Sequence, residues 1–233
     1  MSVVLVTGAS RGLGAALAEG FRARGDRVFG TWRVREAEAR SHCDAALRMD
    51  LGDRDSIRAA VEAVVQESGR IDVLVNNAAI TGGGFFGFDD GMDEVLEANL
   101  AATAAVTRHA VRQMLVQGGG VILNVSSVAA LRPPPGQAAY ATAKSGLIGL
   151  TRVLARELAP RNIRVNALVP GLLAIGSAAR MPSTERDRWL AHVPMGRVGQ
   201  ASEAVEAALW LCSDASRYVV GHALAVDGGM AIR

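Results

Sequence analysis

The sequence has a single lysine, Lys144, although it contains 25 basic residues, so the other 24 are arginines. Arginine would supply the same charge, but its fixed high pKa and wide planar group make it a poor substitute where a small amine must fit. Tyrosine is scarce as well, and one of the two tyrosines, Tyr140, lies four residues before Lys144. On a helix this spacing places both side chains on one face. Such pairs usually lie on an exposed helix edge, but the neighbouring residues here are small and apolar, which favours a buried pair at a functional site.

Cysteine is equally rare. Cys43 and Cys212 are far apart in the sequence and have neither metal-ligand nor redox spacing. The sequence therefore predicts no metal site and no disulfide framework. Reduced core cysteines in a cytoplasmic protein are the default interpretation.

The sequence also lacks an excess of one charge and any long apolar run. Its 25 basic and 23 acidic residues give a net charge of +2, without the basic cluster that nucleic-acid binding requires. No apolar run approaches the length that spans a bilayer. The N-terminus begins with an apolar strand and has no basic region of the kind that opens a signal peptide. We therefore expect a soluble cytoplasmic protein that binds neither nucleic acid nor membranes.

What is present is a regular alternation of β-rich and helical segments. Half of the residues are hydrophobic, which is enough for a large core, and no repeat or domain boundary interrupts residues 1–233. The predicted strands are 3–6, 27–31, 45–49, 71–75, 121–125, 163–168 and 223–226. The predicted helices are 15–23, one that Asp53 caps, 89–117, 139–159 and 201–212. This order predicts a single α/β domain of Rossmann type, a doubly wound parallel sheet of about seven strands with helices on both faces.

A glycine-rich turn connects the first strand to the first helix. Gly8, Gly12 and Gly14 would allow a phosphate to approach the backbone at the N-terminus of a helix, where free N–H groups favour negative charge. Glycines also serve plain turns, so the position after the first strand carries most of this interpretation.

The end of the second predicted strand bears on the choice of cofactor. An acidic residue there would bind a ribose 2′-hydroxyl, whereas arginine suits a 2′-phosphate. The sequence has Thr31 and Arg33 at this point and Arg11 in the glycine-rich turn, which favours NADP(H) over NAD(H). The alternative is that Arg33 is merely solvated, as surface arginines commonly are.

Other polar residues follow the ends of predicted strands, where an open α/β sheet binds its ligand. Asn76 and Asn77 follow the fourth strand and could bridge strands or border a ligand, and Ser126 and Ser127 follow the fifth. Asn99 lies in the middle of a helix, where asparagine is unfavourable and most often faces water. Residues 172–195 contain turn signals and one polar helix, which suits a mobile substrate flap.

Taken together, these residues resemble the short-chain dehydrogenase/reductase family over essentially the whole length. The matching pieces are Thr7-Gly8-x3-Gly12-x-Gly14, Asp50, Asn76-Asn77-Ala78, Asn99, Ser127, Tyr140-x3-Lys144, Pro170-Gly171 and Asp227-Gly228-Gly229. Within the family the chain most resembles the bacterial 3-oxoacyl-acyl-carrier-protein reductases. That resemblance lies in Gly8-Ala-Ser-Arg-Gly12, Gly30-Thr31, Tyr140-Ala-x-Ala-Lys144-x-Gly-Leu-Ile-Gly149 and Val193-Pro-x-Gly-Arg-x-Gly199.

The resemblance implies a catalytic set of Ser127, Tyr140, Lys144 and Asn99. Tyr140 would be the general acid, Lys144 would favour its phenolate and hold the nicotinamide ribose, and Ser127 would orient the substrate carbonyl. The spacing of 13 to Tyr140 selects Ser127 over Ser126. Asn99 would bend its helix and hold a water that returns protons to Lys144. The implied cofactor contacts are Gly8, Ala9, Ser10, Arg11, Gly12, Leu13, Gly14, Thr31, Arg33, Asp50, Leu51, Asn77, Ala78, Ala79, Tyr140, Lys144, Pro170, Gly171 and Leu173.

The sequence departs from the family pattern at three places. Ala79 replaces a usual glycine, and Ile175 stands where a threonine usually bonds the nicotinamide amide, a contact that the backbone at Leu173 or the side chain of Ser177 would have to supply. The stretch 117–120 is neutral where carrier-protein reductases often have basic residues, although Arg161 and its neighbours could meet an acidic carrier.

The resemblance implies an NADPH-dependent ketoreductase that converts a 3-oxoacyl thioester, free or bound to an acyl carrier protein, into a 3-hydroxyacyl product. One alternative is a reductase or dehydrogenase of another ketone or secondary alcohol. The other is a non-catalytic NADP(H)-binding regulatory or scaffold subunit, against which the intact catalytic set argues. The apolar predicted helix 139–159 indicates a homo-oligomer, and the family suggests a tetramer.

Overall fold

The computed structural model describes residues 1–84, 86–88, 91–176 and 181–232. Within these ranges seven strands form one sheet in the order β3-β2-β1-β4-β5-β6-β7, and every neighbouring pair is parallel. The strands are β1 (Val3–Val6), β2 (Arg27–Trp32), β3 (Ala45–Arg48), β4 (Val73–Asn76), β5 (Gly120–Val125), β6 (Ile163–Pro170) and β7 (Ala223–Val226). The predicted Rossmann-type doubly wound sheet is confirmed.

Eight α-helices lie within the described residues. They are α1 (Gly12–Ala23), α2 (Glu36–His42), α3 (Arg54–Ser68), α4 (Met92–Leu96), α5 (Ala102–Gln117), α6 (Ala138–Leu158), α7 (Ser183–Leu190) and α8 (Ala201–Leu211). The helix predicted over 89–117 is divided in its described part, because a π-helical turn over Glu97–Ala101 joins α4 to α5. The short α2 was not predicted.

The core occupies both faces of the sheet. On one face the strands pack against buried residues of α3, α5 and α6, including Ile57, Val106 and Ala155. On the other face they pack against α1 and α8, including Phe21 and Ala208. Because both faces are covered, the strands are apolar runs rather than alternating ones, which is why the sequence revealed them.

Local signals set the ends of several elements. The Asp53 carboxylate accepts hydrogen bonds from the N–H groups of Asp55 at 2.9 Å and Ser56 at 3.1 Å, so it caps α3 as predicted. Gly69, at φ 73°, ends the same helix in the left-handed conformation. Strand β4 begins at Val73 rather than at residue 71, since the Asp72 carboxylate accepts a 2.8 Å hydrogen bond from the N–H of Val3.

No helix among the described residues is long and apolar enough to cross a membrane. In the same residues no group of His, Cys, Asp and Glu side chains is arranged to hold a metal ion.

Candidate active site

The strand order reverses between β1 and β4, and this reversal opens a crevice at the C-terminal edge of the sheet. The Thr7 hydroxyl spans it by accepting hydrogen bonds from the N–H groups of Asn77 and Ala78, each at 2.9 Å. The Asn77 amide donates in return to the carbonyls of Thr7 at 3.0 Å and Gly8 at 3.2 Å. The turns after the two strands are thereby fixed against each other. Asn77, predicted as a cofactor contact, is first of all a bridge between these turns.

The glycine-rich turn is as tightly packed as its sequence suggests. A Cβ on Gly14 would lie 2.1 Å from the carbonyl oxygen of Gly8 and 2.4 Å from the amide nitrogen of Asn77. Gly8 has a φ of 69° and Gly12 a φ of 59°, the region in which an L side chain is strained. The backbone geometry of the turn therefore requires glycine at these three positions.

The N-terminus of α1 fits a dinucleotide pyrophosphate. The helix begins at Gly12, and its N-cap residue, Arg11, makes no side-chain capping hydrogen bond. A Cβ added at Gly12 would meet no atom within 4 Å, so the turn faces open space on this side. Uncapped N–H groups and the helix dipole at an open glycine turn are suited to an anionic ligand.

The end of β2 lies beside this turn. The buried Thr31 hydroxyl accepts a 3.0 Å hydrogen bond from the N–H of Gly8, and the Thr31 carbonyl accepts one of 2.9 Å from the N–H of Ala9. Arg33 and Arg11 are exposed. In the described part of the chain neither of them forms a salt bridge. Thr31 thus holds the turn in place, and the two guanidinium groups are unpaired within these residues.

Tyr140 and Lys144 lie on α6, beside the end of β5. The Lys144 side chain is only 3% exposed, and its Nζ donates a 2.8 Å hydrogen bond to the Val125 carbonyl. The same nitrogen lies 5.6 Å from the centroid of the Tyr140 ring. The Tyr140 phenol and the Ser127 hydroxyl are neighbours, and the interaction with Ser127 acts to lower the pKa of the phenol. Three of the four residues predicted as catalytic are thus brought together around one short stretch of β5 and α6.

Burial governs the proton affinity of this cluster. It raises the pKa of Tyr140 above the usual value, and the interaction with Ser127 opposes the rise without cancelling it. It lowers the pKa of Lys144 to about 8, because the buried ammonium loses hydration. Lys144 is not among the causes of this shift, so its predicted effect on the phenolate stays a prediction. A raised pKa keeps the phenol protonated at neutral pH, which is the form that can donate a proton.

The two serines after β5 have different partners. The buried Ser126 hydroxyl donates a 2.8 Å hydrogen bond to the carbonyl of Lys144, so it fastens α6 to the strand. The Ser127 hydroxyl accepts a 3.2 Å hydrogen bond from the N–H of Ala129 and meets Tyr140. Ser127 is therefore the serine directed at the tyrosine.

Asn99 is fully buried rather than facing water. It lies in the π-helical turn, and its side-chain amide pairs with the backbone of Ile80, accepting from the N–H and donating to the carbonyl, each at 2.8 Å. An extra residue in a helical turn bends the helix locally. Asn99 thus ties the bent helix to the loop after β4.

A chain of buried polar side chains lies beneath the cluster; the sequence predicted that Asn76 could bridge strands but not the rest of this chain. The Asn76 amide nitrogen donates to Thr107 and to the Asn124 side chain, each at 2.8 Å. The Asn124 amide donates to the Thr151 hydroxyl at 2.9 Å, and Thr151 donates to the carbonyl of Leu147 at 2.7 Å. Asn76 and Asn124 are register partners in β4 and β5. A single asparagine in each of two otherwise apolar strands was the available signal.

The remaining predicted contacts lie near the same edge. The Asp50 carboxylate accepts a 3.0 Å hydrogen bond from the N–H of Gly52, which shapes the turn that contains Leu51. The N–H of Gly171, after Pro170 at the end of β6, donates to the Val226 carbonyl at 3.0 Å. The Leu173 carbonyl accepts a 2.8 Å hydrogen bond from the N–H of Ile175.

The positions that depart from the family pattern differ in their surroundings. Ala79 is exposed, next to half-buried Ala78. Ile175 packs against the core on the α1 side of the sheet. Ser177, the suggested substitute for the missing threonine, lies outside the described residues.

Fold and site together define a dinucleotide-binding α/β protein of Rossmann type, with a Ser–Tyr–Lys cluster at the ligand-binding edge of its sheet. The family model described as "Enoyl-(Acyl carrier protein) reductase" matches residues 8–231. The chain belongs to this family, which is part of the short-chain dehydrogenases/reductases. It is an oxidoreductase that acts on CH–OH or C=O groups, and its family implies a nicotinamide cofactor.

Three curated bacterial proteins illustrate the similarity, each named 3-oxoacyl-[acyl-carrier-protein] reductase FabG. The protein of Thermotoga maritima is 40% identical over 240 residues, covering 99% of this chain and 98% of that protein. The protein of Salmonella typhimurium is 38% identical over 236 residues, covering 98% and 96%. The protein of Aquifex aeolicus is 38% identical over 239 residues, again covering 98% and 96%.

Proposed function

We propose that the protein is an NADPH-dependent ketoreductase that converts a 3-oxoacyl thioester into the 3-hydroxyacyl thioester. The observation that carries the proposal is the position of Ser127 beside Tyr140, with the buried Lys144 Nζ 5.6 Å from the centroid of the Tyr140 ring. Reduction of a carbonyl needs a proton donor at the oxygen, and this pair offers a protonated phenol beside a second hydroxyl. The relatives named as 3-oxoacyl reductases, similar along almost the whole chain, support the same reaction.

The side chains take separate roles in this proposal. Ser127 hydrogen-bonds the substrate carbonyl and orients it. Tyr140 gives its phenolic proton to the carbonyl oxygen, where negative charge would otherwise develop. Lys144, with a pKa of about 8, is able to return a proton near neutral pH, and Asn99 holds the bent helix beside it. A reduced nicotinamide, when bound, supplies the hydride. Turns after β1 and β4 provide its phosphate and ribose contacts, and the described parts of the predicted flap, residues 172–176 and 181–195, cover the substrate.

The substrate is proposed to be thioester-bound, on an acyl carrier protein or on coenzyme A. The names of the relatives favour a carrier protein. The exposed Arg161 supports contact with an acidic carrier, whereas the stretch 117–120 adds no charge to that surface.

The experiment that tests the function follows absorbance at 340 nm with acetoacetyl-CoA, once with NADPH and once with NADH. We expect oxidation of NADPH at a kcat of at least about 1 s⁻¹, a common value for enzymes. Crotonyl-CoA is the matched comparison, because the description of the family model names an enoyl reductase. Turnover of crotonyl-CoA in place of acetoacetyl-CoA would mean that the added proton ends on the α-carbon of the substrate and not on a ketone oxygen. It would contradict the proposed role of Tyr140 as the acid that protonates that oxygen. Binding of NADPH with no turnover of either thioester or of simple ketones would favour a regulatory subunit.

NADP(H) is preferred over NAD(H) in our proposal because Arg33 and Arg11 flank the expected ribose. Arg33→Ala should weaken NADPH binding about tenfold, the value of one charge-assisted hydrogen bond, and leave NADH binding within about twofold. Arg35→Ala is the matched control, since Arg35 is paired with Glu38 at 3.2 Å. Fluorescence titration of both cofactors measures the effect. Equal losses for NADPH and NADH would remove Arg33 from the phosphate site.

A homo-tetramer is proposed on the basis of α6. One exposed face of this helix carries small and apolar residues, among them Thr142, Gly149 and Val153, and Val153 is 55% exposed. Such a face suits close packing against a second copy of the helix. We expect light scattering to give about four times the 24.3 kDa of the chain. A mass equal to one chain at micromolar concentration contradicts the proposal.

A further inference from the structure

Arg132 connects three parts of the chain near the active site. It follows the short 3₁₀ turn Val128–Ala130, five residues after Ser127. Its Nη1 donates a 3.2 Å hydrogen bond to the Met230 carbonyl, and its Nη2 lies 3.2 Å from the His192 Nδ1. Because a guanidinium group only donates hydrogen bonds, the ring nitrogen of His192 must be the acceptor. The loop between β5 and α6 that carries Ser127, residues 126–137, is called the serine loop below. Arg132 thereby joins it to the segment 181–195 and to the C-terminal end of the described chain.

Apolar contacts reinforce this junction. Val128, Val193 and Met230 form a buried cluster against which Trp189 and Ala231 pack. Val128 directly follows Ser127, and Trp189 lies in α7 while Val193 follows it. The segment 181–195 therefore rests on the serine loop both through this cluster and through the guanidinium group.

The serine loop is also held on its other side. Pro133, Pro134 and Pro135 restrict its backbone, since each proline ring fixes φ. The carbonyl of Gly136 accepts a 3.0 Å hydrogen bond from the N–H of Gly84, in the loop after β4. Between Ser127 and Arg132 the chain is held by its own turn, in which the N–H of Ala130 donates to the Ser127 carbonyl at 2.9 Å and the N–H of Arg132 donates to the Val128 carbonyl at 2.8 Å, so the hold of Arg132 reaches the position of Ser127.

The surroundings of Arg132 distinguish it from an ordinary surface arginine. Its side chain is half-buried, and within the described residues it has no carboxylate partner. Both of its acceptors are neutral groups, and they lie 60 and 98 residues further along the chain. A partly desolvated charge that joins distant segments is costly unless those segments stay docked. The contact therefore favours one arrangement of segment 181–195.

We propose that Arg132 is a positioning residue that holds segment 181–195 against the serine loop and thereby sets the affinity for the substrate. This inference rests on the proposed function, because it assigns the substrate site to the space beside Ser127. Arg132 touches neither the tyrosine nor the lysine, so the chemical step does not depend on it directly. Its loss should raise KM for acetoacetyl-CoA about tenfold, the effect of one hydrogen bond from a charged donor, and leave kcat within about twofold.

The test compares Arg132→Gln and Arg132→Lys with Arg217→Gln, a matched control at an exposed arginine. Limited trypsin digestion without cofactor or substrate comes first, with fragments identified by mass. Arg186 and Arg188 are exposed on α7, and their cleavage reports local opening of that helix. We expect cleavage at these two sites to be about tenfold faster in Arg132→Gln and unchanged in Arg217→Gln. Lysine should restore part of the protection, since one ammonium can serve only some of the same acceptors.

His192→Ala supplies the partner variant. If Arg132 acts through His192, the double variant should be cleaved little faster than Arg132→Gln alone, because the two changes remove one shared contact. Cleavage and KM equal to those of the wild type in Arg132→Gln would overturn the proposal. A lower melting temperature with unchanged cleavage at Arg186 and Arg188 would overturn it too, because it would leave only a structural role. Failure of the wild type to reduce acetoacetyl-CoA would contradict the proposed function. The digestion would still decide whether Arg132 holds the segment 181–195.

Discussion

Tyr140→Phe should lower kcat for carbonyl reduction by about a thousandfold or more and leave the affinity for NADPH within about twofold. The change removes one hydroxyl and keeps the ring, so the packing of α6 against the rest of the site is retained. General acid catalysis contributes about 10²- to 10⁴-fold to a rate, and here the phenol is the acidic group beside Ser127. The raised pKa of Tyr140 means that the wild-type group is protonated throughout the neutral range.

The chain offers a matched control for this variant. Tyr218, the second tyrosine, is 100% exposed, and Tyr218→Phe removes an identical hydroxyl without touching the site. Its kcat should equal that of the wild type. Steady-state kinetics with acetoacetyl-CoA and fluorescence titration of NADPH provide the two readouts. Near-normal turnover by Tyr140→Phe would exclude the phenol as the acid and require water or another group to protonate the product.

Lys144→Arg should lower kcat about a hundredfold even though it preserves the positive charge. The Lys144 amine is enclosed, and its hydrogen bond to the Val125 carbonyl fixes its position. A guanidinium group is larger and planar, and inserting it into a packed site costs about 1 to 3 kcal/mol through displaced neighbours. It also cannot lose its proton, whereas the pKa of Lys144 near 8 allows exchange. A hundredfold loss corresponds to about 2.7 kcal/mol in the activation barrier.

Denaturant unfolding and kinetics together separate the cost of displaced neighbours from the loss of proton exchange. We expect Lys144→Arg to lower the free energy of unfolding by the packing cost. The fall in kcat should be larger than the fraction of unfolded enzyme can account for. Arg217→Lys, the reverse exchange at an exposed position, should change neither quantity, since exposed substitutions stay within about 0.5 kcal/mol. Full activity in Lys144→Arg would mean that charge alone matters at this position.

The architecture was predictable because every strand of a doubly covered parallel sheet is apolar. The observed ends of β2 to β6 nevertheless differ from the predicted ones by one or two residues, whereas β1 and β7 have the predicted bounds. Strand β4 starts later than predicted, where Asp72 bonds Val3, and continues to Asn76, which pairs with Asn124 across the strands. The periodicity of the sequence could not predict the π-helical turn at Asn99. This turn depends on the contact with Ile80, in a loop that the helix meets only in the folded chain.

The candidate site was predictable where residues are close in sequence and chemically unusual. Tyr140 and Lys144 stand out by rarity and spacing, and the family resemblance selected Ser127 because its spacing of 13 to Tyr140 fits the family. Arg132 and His192 lie 60 residues apart, and nothing local distinguishes Arg132 from 23 other arginines. The direction of the Tyr140 pKa likewise required the structure, because it follows from burial rather than from the neighbouring lysine.

The enclosure of the only lysine has a practical consequence for chemical labelling. Succinimidyl esters acylate exposed deprotonated ε-amines, and Lys144 has a suitable pKa but almost no accessible surface. Native protein will therefore resist side-chain acylation, and lysine-directed cross-linkers will not capture its partners through Lys144. Acylation of Lys144 requires α6 to separate from β5, so a mass increment located on the Lys144 peptide, and thus distinguished from one on the N-terminal amine, reports that opening in an unmodified wild-type chain.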